Sequence, residues 1–327
     1  MQSFTTLSAL FEKQFNKRHF PEQPVNLYDA SSYILSIGGK RVRPVMVLMG
    51  NELYNDIDPD AYEVASAIEL FHNFSLIHDD IMDKAPIRRG KPTVHAAYGD
   101  ATALLAGDVM LVVAYDYINR IKATHIQKII TLFNKTAREV CEGQQMDMDF
   151  EKKDTVHFDE YLHMITLKTS VLLAASLQMG GILGGAGLGN QQHMYSFGKN
   201  LGIAFQVQDD YLDAFGDPEK FGKQPGGDIL ANKKTFLLIH ALDVASETQK
   251  KELHRLLKME TTDEQSQLSK VNQVLDIFRD CKVDEWAAEL KDKYYRLALK
   301  NLDDIAVLSS RKTELEKLAG YLLQRDH

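Results

Sequence analysis

The chain of 327 residues is poor in cysteine and proline and has no excess of positive charge. Its two cysteines, Cys141 and Cys281, cannot build a disulfide framework, and each reads as a reduced, buried thiol. Lysine and arginine number 38 against 46 acidic residues, a formal net charge of −8, which leaves no basic footprint for nucleic acid. No uninterrupted apolar run approaches the roughly 18–20 residues that a membrane span needs. The first residues, Met-Gln-Ser-Phe-Thr-Thr, lack the basic region, apolar core and cleavage site of a secretory signal. These absences lead us to expect a soluble, cytoplasmic protein with no membrane span and no nucleic-acid partner. Low-complexity linkers are missing as well. One domain covering residues 1–327 is therefore expected, although the length alone would allow two.

What remains is a chain of ordinary globular composition, 44% hydrophobic and 26% charged, long enough to bury a large core. Its eight prolines fall within 21–24, 44, 59, 86–92 and 218–225. Between them, apolar residues recur at helical spacing. Val64, Ile68 and Phe71 mark the segment 61–83, and Leu104, Leu105, Val109, Val112 and Val113 mark 101–119. The same pattern runs through 126–150, 159–184, 191–214, 233–244 and 283–307. Alternating runs joined by hairpin turns are not seen, so the expected class is all-α. Two segments break the helical pattern. Lys84–Pro92 holds two prolines, a glycine and four cations; Gly216–Asn232 holds Pro218, Pro225, Gly222, Gly226, Gly227 and Lys223.

Each break follows a cluster of aspartates: Asp79, Asp80 and Asp83 in one case, Asp209, Asp210 and Asp213 in the other. Residues four apart stack on one face of a helix, where like charges repel by a few tenths of a kcal/mol. A sequence that does this twice calls for a compensating cation. Carboxylates without cysteine or histidine suit a hard ion such as magnesium or calcium. A calcium-binding loop is disfavoured, because the spacing is helical and that loop's glycine and distal glutamate are missing. Magnesium takes only one or two protein carboxylates and completes its shell with water and substrate phosphates. The doubled arrangement suggests two helices facing one cavity, with a diphosphate held through several ions. The competing reading, a solvated acidic surface, suits one cluster better than two of identical spacing.

With Gly38-Gly39-Lys40-Arg41-Val42-Arg43-Pro44 upstream, His-Asp-Asp-Ile-Met-Asp followed by Arg88-Arg89-Gly90, and Gln206-Val-Gln-Asp-Asp-Tyr-Leu-Asp, the chain resembles the trans-type polyprenyl diphosphate synthases. That family includes farnesyl and geranylgeranyl diphosphate synthases, and the likeness covers nearly the whole chain. It implies the isoprenoid synthase fold, an all-α domain around an apolar cavity. It also implies a magnesium-dependent prenyltransferase, with three magnesium ions per active site, acting on isopentenyl diphosphate and an allylic diphosphate (dimethylallyl, geranyl or farnesyl). By resemblance, Asp79, Asp83 and Asp209 are direct metal ligands, while Asp80, Asp210 and Asp213 ligate through water or orient the site. Lys40, Arg43, His72 and Arg89 would bind isopentenyl diphosphate. Arg88 and Lys168 would bind the allylic diphosphate, and Lys223 and Lys233 would close over it. The Thr169 hydroxyl, the Lys168 carbonyl and the Gln206 amide oxygen would stabilise an allylic cation by turning negative dipole ends toward it. Gln144, in the segment Cys141–Asp147, is a further cavity candidate.

Product length in such an enzyme depends on the floor of the apolar pocket. Phe74 stands five residues before Asp79, with the small Ser75 beside it. A bulky residue there resembles the short-chain pattern, and geranylgeranyl diphosphate is the favoured product, with farnesyl diphosphate second. A terpene cyclase and a non-catalytic subunit of a heteromeric synthase are the other classes. The second full aspartate cluster and the 38–44 segment argue against the cyclase, and retention of all six aspartates argues against the subunit. The family resemblance also implies a homodimer. The C-terminal end, Leu-Gln-Arg-Asp-His, lacks the basic tail of some farnesyl synthases.

Overall fold

The structure is a computed structural model that describes residues 1–216 and 226–323. Nearly all of it is helical. The first elements are α1 (Phe4–Phe15), α2 (Val25–Ser36), α3 (Val42–Glu52), α4 (Pro59–Met82), a strand pair β1 (Ile87–Arg88) and β2 (Lys91–Pro92), α5 (Val94–Tyr98) and α6 (Asp100–Ile118). Then come α7 (Ala123–Lys152), α8 (Phe158–Ile165), a π-helical turn (Thr166–Ser170), α9 (Val171–Gly184) and α10 (Leu188–Phe215). The last are α11 (Gly227–Leu230), α12 (Phe236–Val244), α13 (Glu247–Leu257), α14 (Glu264–Asp280), α15 (Val283–Asp303) and α16 (Ser309–Leu323). The all-α expectation holds. The chain divides into two compact units, the first made of residues 1–136, 172–195 and 303–315, the second of the other described residues.

In the first unit, local chemistry sets where helices begin. The Ser3 hydroxyl accepts the Thr6 N–H at 3.2 Å and caps α1, which buries Leu7, Phe11 and Phe15 along one stripe. Asp58 caps α4 by accepting the Asp60 N–H at 3.0 Å, and Pro59 supplies the fixed φ of a first helical turn. Helix α4 packs against α1, α3, α5 and α6. Every residue from Val64 to Phe71 is buried, so this helix is enclosed on all sides rather than lying on a surface. It ends at Asp83, where Lys84 takes a left-handed φ of 50°. The segment 84–92, read from sequence as a plain helix-breaking loop, contains a minimal antiparallel hairpin pairing Ile87 with Pro92 and Arg88 with Lys91. Arg89 and Gly90 form its turn at φ 51° and 75°; two positive values in succession match the twist of the paired strands. Two-residue strands are too short for alternation to reveal them.

The first unit also encloses an ion network. Arg41 is 6% exposed, and its guanidinium meets Glu69, which is 3% exposed, and Glu12 at 2.6 Å. Asn73 donates to the Glu69 carboxylate at 3.0 Å from one turn along α4. Arg41 itself has φ 52°, a left-handed conformation that costs about 1–2 kcal/mol for a residue with a Cβ. The network holds that turn, which leaves Lys40 exposed and starts α3 at Val42.

In the second unit, Trp286 on α15 gathers three rings: Phe158 at 5.4 Å, Phe236 at 5.6 Å and His240 stacked at 3.9 Å. These contacts pin α8 and α12 together. Two helical stretches, Asp100–Ile118 and Phe158–Gly184, reach the length and mean hydropathy of a bilayer crossing, although no uninterrupted apolar run does. In the second stretch 78% of the apolar window is buried within the protein, as in a core helix.

Removing Glu69 would strand the buried Arg41 charge, and loss of one partner of a buried pair costs about 3–5 kcal/mol. Glu69→Ala is expected to lower the denaturant midpoint of the cooperative transition clearly more than Glu12→Ala, whose side chain is 44% exposed. Equal midpoints for the two variants would contradict this account.

Candidate active site

The first unit collects a basic group around the start of α3. Arg43 donates to His72 Nε2 at 3.1 Å, so Nε2 is the accepting nitrogen and the ring is neutral. Burial, followed by Arg43, Arg89 and Arg88, drives the His72 pKa well below its ordinary value. Arg89, at the hairpin turn, donates to the Gly38 carbonyl, and its guanidinium lies against Gly39. The structure thus brings together Arg43, His72 and Arg89, with Lys40 exposed on the same short segment.

The first aspartate cluster sits at the end of α4. Asp80 is 1% exposed and accepts from Arg88 through both carboxylate oxygens, with contacts of 2.7–3.0 Å. Arg88 reaches Asp79 only at 3.4 Å. Asp79 is partly exposed and Asp83 exposed. Phe74, 9% exposed, packs on Phe71 at 5.5 Å and edge-on to His78 at 4.7 Å. The Ser75 hydroxyl donates to the His72 carbonyl at 2.8 Å, which draws it into the helix backbone.

The second unit holds a cavity of about 330 Å3. Asp147, Asp209, Asp210, Asp213 and Asp228 line it with Lys168, Lys233 and Lys234, five carboxylates against three lysines. Lys168 reaches Asp147 at 2.6 Å, and the Thr169 hydroxyl donates to Gln206 Oε1 at 3.2 Å. The Gln206 amide then donates to Asp210 at 2.8 Å, and the buried Tyr161 hydroxyl donates to the other Asp210 oxygen at 2.5 Å. Burial, then the nearby Asp228, pushes the Asp210 carboxyl up to about 7. Burial, then Asp213, also raises Asp228, against the pull of Lys233. Asp213 accepts the Asp228 N–H at 2.9 Å and thereby caps the short helix α11. Lys233 lies 3.7 Å from Asp228; Lys223 falls outside the described residues. The Gln144 amide nitrogen is buried without a hydrogen-bond partner.

A hard cation fits this donor set, which is all carboxylate with an excess of negative charge. Among the described residues, no three His, Cys, Asp or Glu side chains converge on one point as a ready-made cage. That suits magnesium, which needs only one or two protein carboxylates when phosphate oxygens complete its octahedron.

The sequence profile of the polyprenyl synthetase family matches residues 24–275. The chain belongs to this family. It is 43% identical to a short chain isoprenyl diphosphate synthase of Methanocaldococcus jannaschii over 71% of each chain. It is 38% identical to a geranylgeranyl pyrophosphate synthase of Geoglobus acetivorans over 94% of this chain and 93% of that one. A crystal structure of a geranylgeranyl pyrophosphate synthase superposes with a TM-score of 0.95 at 40% identity, covering 99% of both chains.

For a polyprenyl synthetase the sequence reading missed several residues that the structure makes prominent. Asp147 was passed over although it closes the segment from which Gln144 was singled out. Asp228 lies in the stretch 216–232, which its prolines, glycines and Lys223 mark in sequence as a helix break. Tyr161, seven residues before Lys168, reads in sequence as one more core aromatic.

The depressed His72 pKa has a definite sign. Below its ordinary pKa of 6.5 the unfolded chain takes up a proton that the folded protein refuses. His72 therefore contributes stability that is present above about pH 6.5 and is lost as the pH falls. His72→Gln keeps an acceptor but does not titrate, so its Tm should fall less than the wild type's between about pH 7.5 and 5. Parallel Tm curves for the two proteins would show that His72 titrates normally.

Proposed function

We propose that this polyprenyl synthetase condenses an allylic diphosphate with isopentenyl diphosphate and that its main product is geranylgeranyl diphosphate. The observation that carries the reading is the cavity of the second unit. It combines an excess of carboxylate with an oriented oxygen pair, Thr169 and Gln206, beside the Lys168 cation. Its similarity to geranylgeranyl pyrophosphate synthases agrees with the reading.

The residues that would hold magnesium are Asp79 and Asp83 in the first cluster and Asp209 in the second. Bound magnesium supplies charge neutralisation for a departing diphosphate. Lys168 and Lys233 bind that leaving group as point charges, and Arg88, fixed on Asp80, adds a guanidinium. Breaking the allylic carbon–oxygen bond leaves a cation and a diphosphate. The Thr169 hydroxyl donates a hydrogen bond to Gln206, so the lone pairs of its own oxygen are the end available to developing positive charge. Lys40, Arg43 and Arg89 hold the diphosphate of the second substrate, and neutral His72 keeps Arg43 in place. The isopentenyl double bond then attacks the cation, a carbon–carbon bond forms, and proton loss creates the new double bond. Excluding water protects the cation from quenching, a role that falls to Lys223 and Lys233.

Phe74 is the proposed floor of the product pocket, supported by its packing against Phe71 and His78. We further propose a homodimer, because α6 exposes Leu104, Leu105 and Val112 at 50–62%. Cys141 is exposed and Cys281 half-buried, rather than buried as the sequence suggested, and such free thiols suit a reducing cytoplasm.

Labelled isopentenyl diphosphate with geranyl or farnesyl diphosphate and magnesium tests the reaction. Chromatography should show a twenty-carbon product. Cyclic hydrocarbons or an inert protein would each overturn the reading. Asp79→Ala and Asp209→Ala should lose at least about 100-fold in kcat with the melting transition retained, as removal of transition-state charge stabilisation predicts. Phe74→Ala should lengthen the product, and an unchanged chain length would remove Phe74 as the floor.

A further inference from the structure

Lys168 and Thr169 are neighbours in sequence, yet they grip different helices. Lys168 reaches Asp147 on α7 at 2.6 Å, and Thr169 reaches Gln206 on α10 at 3.2 Å. Both residues lie in the π-helical turn Thr166–Ser170, where the Val171 N–H donates to the Thr166 carbonyl five residues back. Such a turn carries one extra residue, bulges outward and is common at functional sites. The bulge must go somewhere. On α7 it meets Gly143, and on α10 it meets Gly202.

Neither glycine leaves room for a methyl group. A Cβ at Gly143 would overlap the Lys168 backbone nitrogen and lie 2.7 Å from the Lys168 Cα and 2.8 Å from the Leu167 carbonyl carbon. A Cβ at Gly202 would lie 2.8 Å from the Ser170 Cα and Cβ and 2.9 Å from its hydroxyl oxygen. Both positions are buried, and each is inside a long helix, where glycine is unfavourable unless packing requires it. Gly143 is the only glycine in α7.

The two helices solve the problem in the same way. Asp147 stands four residues after Gly143, and Gln206 stands four after Gly202, so each pair lies on one helix face. The glycine admits the backbone of the bulge, and the polar residue one turn later holds the side chain that the bulge presents. We infer that Gly143 and Gly202 are positioning residues that seat the π turn between α7 and α10. They thereby set where the Lys168 ammonium and the Thr169 hydroxyl stand in the cavity. The inference rests on the proposed function for its consequence in turnover, and on geometry alone for the seating.

The test compares wild type with Gly143→Ala, Gly202→Ala, and Gly202→Ala combined with Ser170→Gly. Turnover is measured with both substrates, and binding of inorganic diphosphate with magnesium is measured by calorimetry. Misplacing catalytic groups by about 1 Å can cost about 100-fold in rate, so each alanine variant should lose roughly that much in kcat. Diphosphate binding should weaken at least about tenfold, while KM for isopentenyl diphosphate stays within about twofold, because only the leaving-group side is displaced. Ser170→Gly removes the Cβ and hydroxyl that crowd position 202, so it should restore part of the Gly202→Ala loss. In Gly143→Ala the obstruction is main chain, and the same second change should restore nothing. Wild-type binding and kcat in either alanine variant would overturn the inference, as would equal rescue of both variants by Ser170→Gly. If Gly202→Ala does not fold, the double variant decides, and failure of that variant to fold or to recover binding also overturns the inference. A wild-type protein that binds diphosphate but turns nothing over would refute the proposed function only, and the binding comparison would still judge the glycines.

Discussion

Carboxylate crowding in the second unit is the constraint on which the rest of the site depends. Five aspartates share one cavity of about 330 Å3 with three lysines. Burial, then the proximity of Asp228, pushes the Asp210 carboxyl up to about 7, as expected where a carboxylate is both desolvated and beside another. A fold retains such an arrangement only when a proton, a donor network or a cation offsets it. The donors are visible: Tyr161 and Gln206 on Asp210, the α11 N-terminus on Asp213, and Lys168 on Asp147. They serve the buried oxygens, and Asp209 lies partly exposed at the cavity wall.

The same division of labour appears at both aspartate motifs. In each, the second aspartate is buried, Asp80 at 1% and Asp210 at 7%, and is committed to partners within its own unit. In each, the first aspartate stays partly exposed. Asp80 is held by a bidentate Arg88, and Asp210 by a tyrosine and a glutamine. Adjacent aspartates on a helix point in directions about 100° apart, so one can serve the scaffold while the other stays accessible. Each motif thus pairs an accessible carboxylate with a buried one that anchors it, rather than presenting three equivalent side chains. Its third member differs between the copies. Asp83 ends α4 in solvent, whereas Asp213 caps another helix.

Much of this was legible in the sequence because it rests on period and charge. The segments 61–83, 101–119 and 126–150 match α4, α6 and α7 to within a few residues, since apolar spacing records which face is buried. The aspartate clusters were legible because helical like-charge spacing is costly and therefore informative. The rest depended on partners far along the chain. The Arg88–Asp80 clamp spans eight residues, which could be guessed, but Tyr161 and Asp210 are 49 apart, and Thr169 and Gln206 are 37 apart. No local pattern encodes those pairings. The hairpin at 87–92 escaped for a different reason: two residues per strand leave nothing to alternate.

The π turn shows why such distant pairings matter to chemistry. A regular helix through 166–170 would satisfy the backbone, so the wider turn must be maintained by its surroundings. Its surroundings here form a directed chain of hydrogen bonds. When ionised, the Asp210 carboxylate can only accept, and it then orients the Gln206 amide with its NH2 inward and its oxygen toward Thr169. That oxygen in turn accepts the Thr169 hydrogen bond and fixes which side of the hydroxyl is electron-rich. Tyr161 secures the far end of the chain by donating to the other Asp210 oxygen. One buried charge therefore sets the polarity of a hydroxyl two hydrogen bonds away. A glutamine without that carboxylate could present either end of its amide to Thr169. The crowded aspartates thus do more than concentrate negative charge: they also decide which way the neighbouring dipoles point.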